Sequence, residues 1–183
     1  MRKAYSELDG PRRMLALMGT ALLLLGLAHG VVWLVAGGPV LGPVSWRKPT
    51  LFASAIGGIL LATLWASMHI RMSRKLTWVL LGGLSVGGLI QAGLVVIQRW
   101  RGTASHFNVF TTDTNAVMAL VIALTTLPVT VMFVTLMILS YRRNTASGTT
   151  RFIVRYGFTM VAVGTVEGLT MIAHAMSTIP SRI

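Results

Sequence analysis

His29, Gln91, Glu167 and His174 are polar side chains set inside long apolar runs. Gln98, Arg101, Ser105, His106 and Asn108 crowd the stretch that joins two of those runs. An ionisable or amide group inside a membrane segment is costly, which makes each a candidate for binding or proton chemistry. Glu167 offers a carboxyl that accepts a proton or a cation, with His29 and Gln91 as companions lining one site. Glu167 and His174 are seven residues apart, as are Gln91 and Gln98, so each pair shares a helix face. The alternatives are structural: Glu167 paired with His29 or an arginine, the glutamines as interhelical hydrogen-bonders, and His106 and Asn108 bonding their own loop.

Other chemistries fit these residues less well. With no cysteine in the chain, disulfides, thiolate metal sites and thiol nucleophiles are excluded. No metal site is expected, because the 11 methionines are scattered and form no paired thioether spacing. No cofactor is predicted; the alternative is haem b, held between His29 and His174 on different helices. A depth difference of roughly 8–10 Å, from the rise per residue, counts against one shared iron. Hydrolysis by His106 with Ser105 or Asp113 lacks a G-x-S-x-G setting and is the weakest option.

The elements that must position these groups are long apolar helices. Of 183 residues, 54% are hydrophobic and 11% charged, and mean hydropathy is +0.74. A soluble domain carries about 25% charged residues, so lipid must replace water over most of this surface. Reading from charge to charge gives five spans, about 14–37, 50–70, 76–98, 116–140 and 153–175. The expected fold is therefore an all-α polytopic transmembrane bundle. It divides into a basic tail (1–13), one transmembrane domain (14–176) and a short tail (177–183). The first span is too long for a signal-peptide core and lacks a clear cleavage site, so its retention is expected.

Net charge is +12, but the basic residues lie in short clusters between apolar runs, which argues for a membrane and against nucleic acid. One side of the bilayer receives Arg2, Lys3, Arg12, Arg13, Arg71, Arg74, Lys75, Arg142, Arg143, Arg151 and Arg155. The other receives Arg47, Lys48, Arg99, Arg101 and Arg182. The positive-inside rule puts the N-terminus in the cytoplasm and the C-terminus outside. Trp33, Trp46 and Trp100 then form an outer aromatic belt. His69 and the inner basic loops are read as headgroup contacts.

Small residues four apart allow close helix approach. They occur as Ser54, Gly58, Ala62 and Ala66 on the second span, Gly26 and Gly30 on the first, Gly83 and Gly87 on the third, and Gly164 and Gly168 on the fifth. Packing inside one bundle is the expectation; pairing with itself or with other membrane subunits is the alternative. Pro128, flanked by threonines, predicts a kink in the fourth span. Lys48 is expected to be extended before Pro49 at a first helical position. Thr112 or Asp113 is expected to cap the fourth span.

Lys48-Pro49-Thr50-Leu51-Phe52 resembles a K-P-x-x-F signature at the start of a span, and Gln98 to Asn108 resembles Q-x-x-R-G-x-x-S-H-F-N. Together they are similar to a widespread family of bacterial multi-pass membrane proteins of unassigned function, over roughly residues 40–175. The chain departs from that pattern at Gln91, where relatives tend to carry glutamate. Relatives also continue into further spans, so the resemblance implies a shortened or divergent member in the bacterial cytoplasmic membrane.

On these readings the chain is a non-enzymatic membrane protein with a polar pocket on its outer side. His29, Gln91 and Glu167 lie about 7–8 residues below the outer helix ends, roughly 10–13 Å deep. The loop bearing Arg101, Ser105, His106 and Asn108 caps them. A small ligand or proton would bind there for sensing, accessory or transport work. A structural subunit of a larger complex is the other reading.

Overall fold

The computed structural model describes residues 8–105 and 113–178. Arg2, Lys3, His106, Asn108, Thr112 and Arg182, each given a place above, lie outside those residues. The described chain is helical, with five helices long and apolar enough to cross a membrane. They are α1 (Gly10–Ala36), α2 (Arg47–Ser67), α3 (Arg74–Trp100), α4 (Thr114–Arg142) and α5 (Gly148–Thr178).

Several helices begin earlier than hydropathy alone predicts, because capping and backbone pairing set their ends. Asp9 accepts the Arg12 N–H at 3.1 Å and also pairs with the Arg12 guanidinium at 2.7 Å. That cap draws the two arginines into the first turn of α1. In α2, Lys48 is helical rather than extended, and Pro49 falls inside the first turn. A proline there costs nothing, since the first-turn N–H groups lack intrahelical partners. Asp113 caps α4 as expected, accepting from the N–H groups of Asn115 and Ala116 at 3.0 and 3.2 Å.

Helix α4 runs through Pro128 unbroken. The hydroxyls of Thr125, Thr126 and Thr130 all return to carbonyls of their own helix, at 2.8–3.0 Å. In α3, Trp78–Gly82 winds as a π-helix. This turn brings Trp78 against the start of α1: a Cβ on Gly10 would stand 2.8 Å from the Trp78 ring.

The tightest contact is α1 on α2. A Cβ on Gly57 would lie 2.6 Å from the Leu23 nitrogen and 2.7 Å from the Gly19 carbonyl oxygen, and a Cβ on Gly26 would collide with Ser54. The stripe expected on α2 is therefore rotated: Ser54 and Gly57 meet α1, while Gly58 and Ala62 are exposed. Gly87 and Gly88 divide α3 between two neighbours, the first against Val129 of α4 and the second against Ile56 of α2. Leu15, Leu22, Leu60, Leu81, Leu84 and Leu136, all buried, fill the centre. Helix α5 packs along α4, and Val154, Phe158 and Ala162 are its buried apolar residues. A Cβ on Gly164 or Gly168 would meet nothing within 4 Å, so this pair does not serve packing within the bundle.

Arginines expected at headgroups also hold helix ends together. Arg12 donates to the hydroxyl and carbonyl of Ser67 at 3.2 and 3.0 Å, fastening α1 to the end of α2. Arg155 donates to the Ser140 and Tyr141 carbonyls at 3.4 and 3.2 Å, satisfying the C-terminal turn of α4.

Candidate functional site

The end of the bundle opposite the N-terminus carries a compact polar and aromatic cluster built on His29. This residue is 6% exposed and reaches its partners from α1. The Trp100 indole donates to Nε2 at 3.1 Å, and Nδ1 lies 2.8 Å from the Leu25 carbonyl oxygen. An indole N–H only donates, so Nε2 is the acceptor and Nδ1 carries the proton given to Leu25. Two partners thus select one tautomer.

Trp46, at the threshold of α2, closes the cluster. Its ring centroid is 5.0 Å from that of Trp100 in an edge-on pair and 6.3 Å from that of His29. The Arg99 guanidinium lies 3.7 Å above the Trp46 ring, a cation–π contact, and its buried Nε has no hydrogen-bond partner. Ser45, fully buried beside Trp46, spans the Pro39 and Val40 carbonyls at 2.9 and 3.1 Å and accepts the Arg47 N–H at 3.1 Å. The Gly- and Pro-rich loop from α1 to α2 is thereby folded onto its own backbone.

Gln98 anchors the next connection. It is fully buried near the end of α3; its amide faces the Ala104 and Asn115 carbonyls at 3.4 Å and its oxygen accepts from Thr103 at 2.9 Å. Arg101 bonds Asn115 at 3.2 Å, and Asn115 bonds Asp113 at 2.8 Å. Ser105 is buried at the same place. One turn-pair deeper, Gln91 donates to Thr126 of α4 at 3.2 Å. Gln91 and Gln98 do share a face, and both bond across it to α4.

Glu167 and His174 stand apart. Both are exposed on α5, and the Glu167 carbonyl accepts from Thr170 at 2.7 Å. His29, Gln91 and Glu167 therefore occupy three settings: a tryptophan cage, a rung between α3 and α4, and an open helix surface. Equal depth does not bring them together, because rotation about each helix axis decides where a side chain points. Both ring nitrogens of His29 are engaged by protein groups, and His174 lies on α5. Among the described residues no cluster of three or more His, Asp or Glu is placed to hold a metal.

The tryptophans and Arg99 are the participants that belt placement alone misses. The usable signal is a Trp beside a basic residue at two helix ends on one side, Trp46-Arg47 and Arg99-Trp100. No family model, no curated protein and no solved structure matches the chain.

Proposed function

We propose that the chain is an assembly subunit of a bacterial cytoplasmic membrane, pairing with a second copy of itself through the open face of α5. In this reading the N-terminus is cytoplasmic and the C-terminus lies outside, and the basic-residue count supports that direction. The observation that carries the proposal is exposed Glu167 on an uncovered helix. Only 11% of the apolar window of α5 is buried, against 22–44% for the other helices. Gly157, Met160, Gly164, Glu167, Met171 and His174 follow one another at alternating spacings of three and four, and every one is exposed. Such spacing makes a continuous seam, and glycine within it lets a second backbone come close. A carboxyl facing hydrocarbon is costly, and the cost falls when another polar group covers it. In a parallel two-fold pair, residues of equal height meet. Glu167 then faces its own counterpart, and the two carboxyls hydrogen-bond through a shared proton.

The mass of the protein–lipid particle in nanodiscs tests this. The wild type is expected to be dimeric and Gly164→Ile monomeric with unchanged helix content. A monomeric wild type at every protein-to-lipid ratio, or an undisturbed Gly164→Ile dimer, refutes it.

A second reading, ligand binding at the tryptophan end, is favoured by Arg99 alone. Its buried Nε lacks a partner, and Arg47, Lys48 and Arg101 share that end of the bundle. Such a site takes an anion rather than the proton or cation expected for Glu167. Citrate titrated against tryptophan fluorescence should shift the wild type and not Arg99→Gln; an unresponsive wild type removes this reading.

A further inference from the structure

Two short connections meet at the N-terminal end of the bundle. Residues 68–73 join α2 to α3, and residues 143–147 join α4 to α5. Chain leaving a helix carries unpaired backbone groups, and here each connection satisfies the other. Ile70 and Asn144 form an isolated antiparallel bridge. The Arg71 N–H donates to the Arg143 carbonyl at 3.1 Å. The backbone N–H and hydroxyl of Thr145 both reach the His69 carbonyl, at 2.8 and 3.1 Å. Ile70 is 4% exposed and pins the clamp to the core.

Beside the clamp lies a concavity of about 650 Å³, lined by Arg71, Ser73, Arg142, Arg143, Asn144 and Thr145. Among the described residues no carboxylate pairs with its three guanidinium groups. Among the described residues, Asp9 is paired with Arg12, Asp113 caps α4 at the other end of the bundle, and Glu167 lies on α5. Asn144 is oriented by its oxygen, which accepts the Ala146 N–H at 2.8 Å, and its Nδ2 is buried with no partner. The Ser73 hydroxyl accepts from the Leu76 N–H at 3.4 Å and keeps its own proton to give. Among the described residues the lining therefore offers donors and positive charge with no carboxylate beside them. Exposed Tyr141 and Tyr156 on the neighbouring turns of α4 and α5 mark this end as the level of a membrane surface.

We propose that this concavity binds a phosphate group, presented either by an anionic lipid headgroup or by a soluble phosphate. Arginine forks match phosphate oxygens in pairs, and the bridge between the connections holds Arg71 and Arg143 on one wall. The site is independent of α5 and of any pairing there.

Protein in phosphatidylcholine nanodiscs is titrated in one arm with phosphatidylglycerol and in the other with inorganic phosphate, following thermal stability and lipid retention by native mass spectrometry. Saturable binding in either arm is expected, and the responding arm names the source. The double variant Arg71→Gln/Arg143→Gln should weaken it by about tenfold or more, while Arg13→Gln, which removes a charge at the same end but outside the lining, should not. Asn144→Asp keeps the acceptor for Ala146, removes the free donor and adds a negative charge; it should weaken binding with helix content intact. No saturation in either arm, or equal binding by the double variant, overturns the proposal.

Discussion

The Trp100 indole donates to His29 Nε2 at 3.1 Å, joining the last turn of α3 to the C-terminal third of α1. The bond accounts for the one polar side chain of α1 that is buried in the bundle, and it fixes which imidazole nitrogen carries the proton. Both ends of that histidine are spoken for, which makes it a fastening rather than a free ligand.

Trp100→Phe keeps an aromatic ring and removes the donor, leaving Nε2 of buried His29 without a partner. Unfolding in detergent should show a loss of about 1–2 kcal/mol. His29→Phe combined with Trp100→Phe should cost less than the sum of the two single changes, because the pair is one interaction. Strict additivity would show that the bond contributes nothing.

Gly57 and Gly58 are neighbours with opposite surroundings. A methyl group on Gly57 meets backbone atoms of α1 at 2.6 and 2.7 Å, and backbone cannot step aside. Gly57→Ala should destabilise by about 1–3 kcal/mol. Gly58→Ala meets open space and should be neutral or slightly stabilising, since alanine favours helix. Thermal melts of the two variants check this; equal melting temperatures would contradict the α1–α2 register.

Gln98 gathers the connection from α3 to α4. Gln98→Leu leaves the Ala104 and Asn115 carbonyls and the Thr103 hydroxyl without their side-chain partner, at a cost of about 1–3 kcal/mol. Trypsin should then cut after Arg101 several-fold faster than in the wild type, with the helices uncut. An unchanged rate would mean that the amide does not hold this segment.

The five helices are legible in the sequence because lipid demands long apolar runs, and four acidic residues leave no soluble alternative. The shared face of Gln91 and Gln98 is legible too, since seven residues make two turns of one helix. Convergence of His29, Gln91 and Glu167 is not. Depth follows from counting residues, but facing depends on helix rotation, which apolar surroundings encode weakly because lipid and core accept the same side chains. The same degeneracy hides why Gly57 rather than Gly58 meets α1. The π turn at Trp78–Gly82 inserts its extra residue without any proline or polar signal. Arg12 and Arg155 show a related limit, for charge density predicts a surface and not which carbonyl a guanidinium will reach.

Pairing through α5 is tested most directly by disulfide trapping in native membranes, which the absence of native cysteine makes clean. Cysteine is introduced singly at Gly164, at Met171, or at Val131 on the exposed surface of α4, and an oxidant is added. Covalent dimers are predicted for Gly164→Cys and Met171→Cys and not for Val131→Cys. No dimer at either α5 position, or an equal yield at Val131, would contradict a seam between two copies of α5.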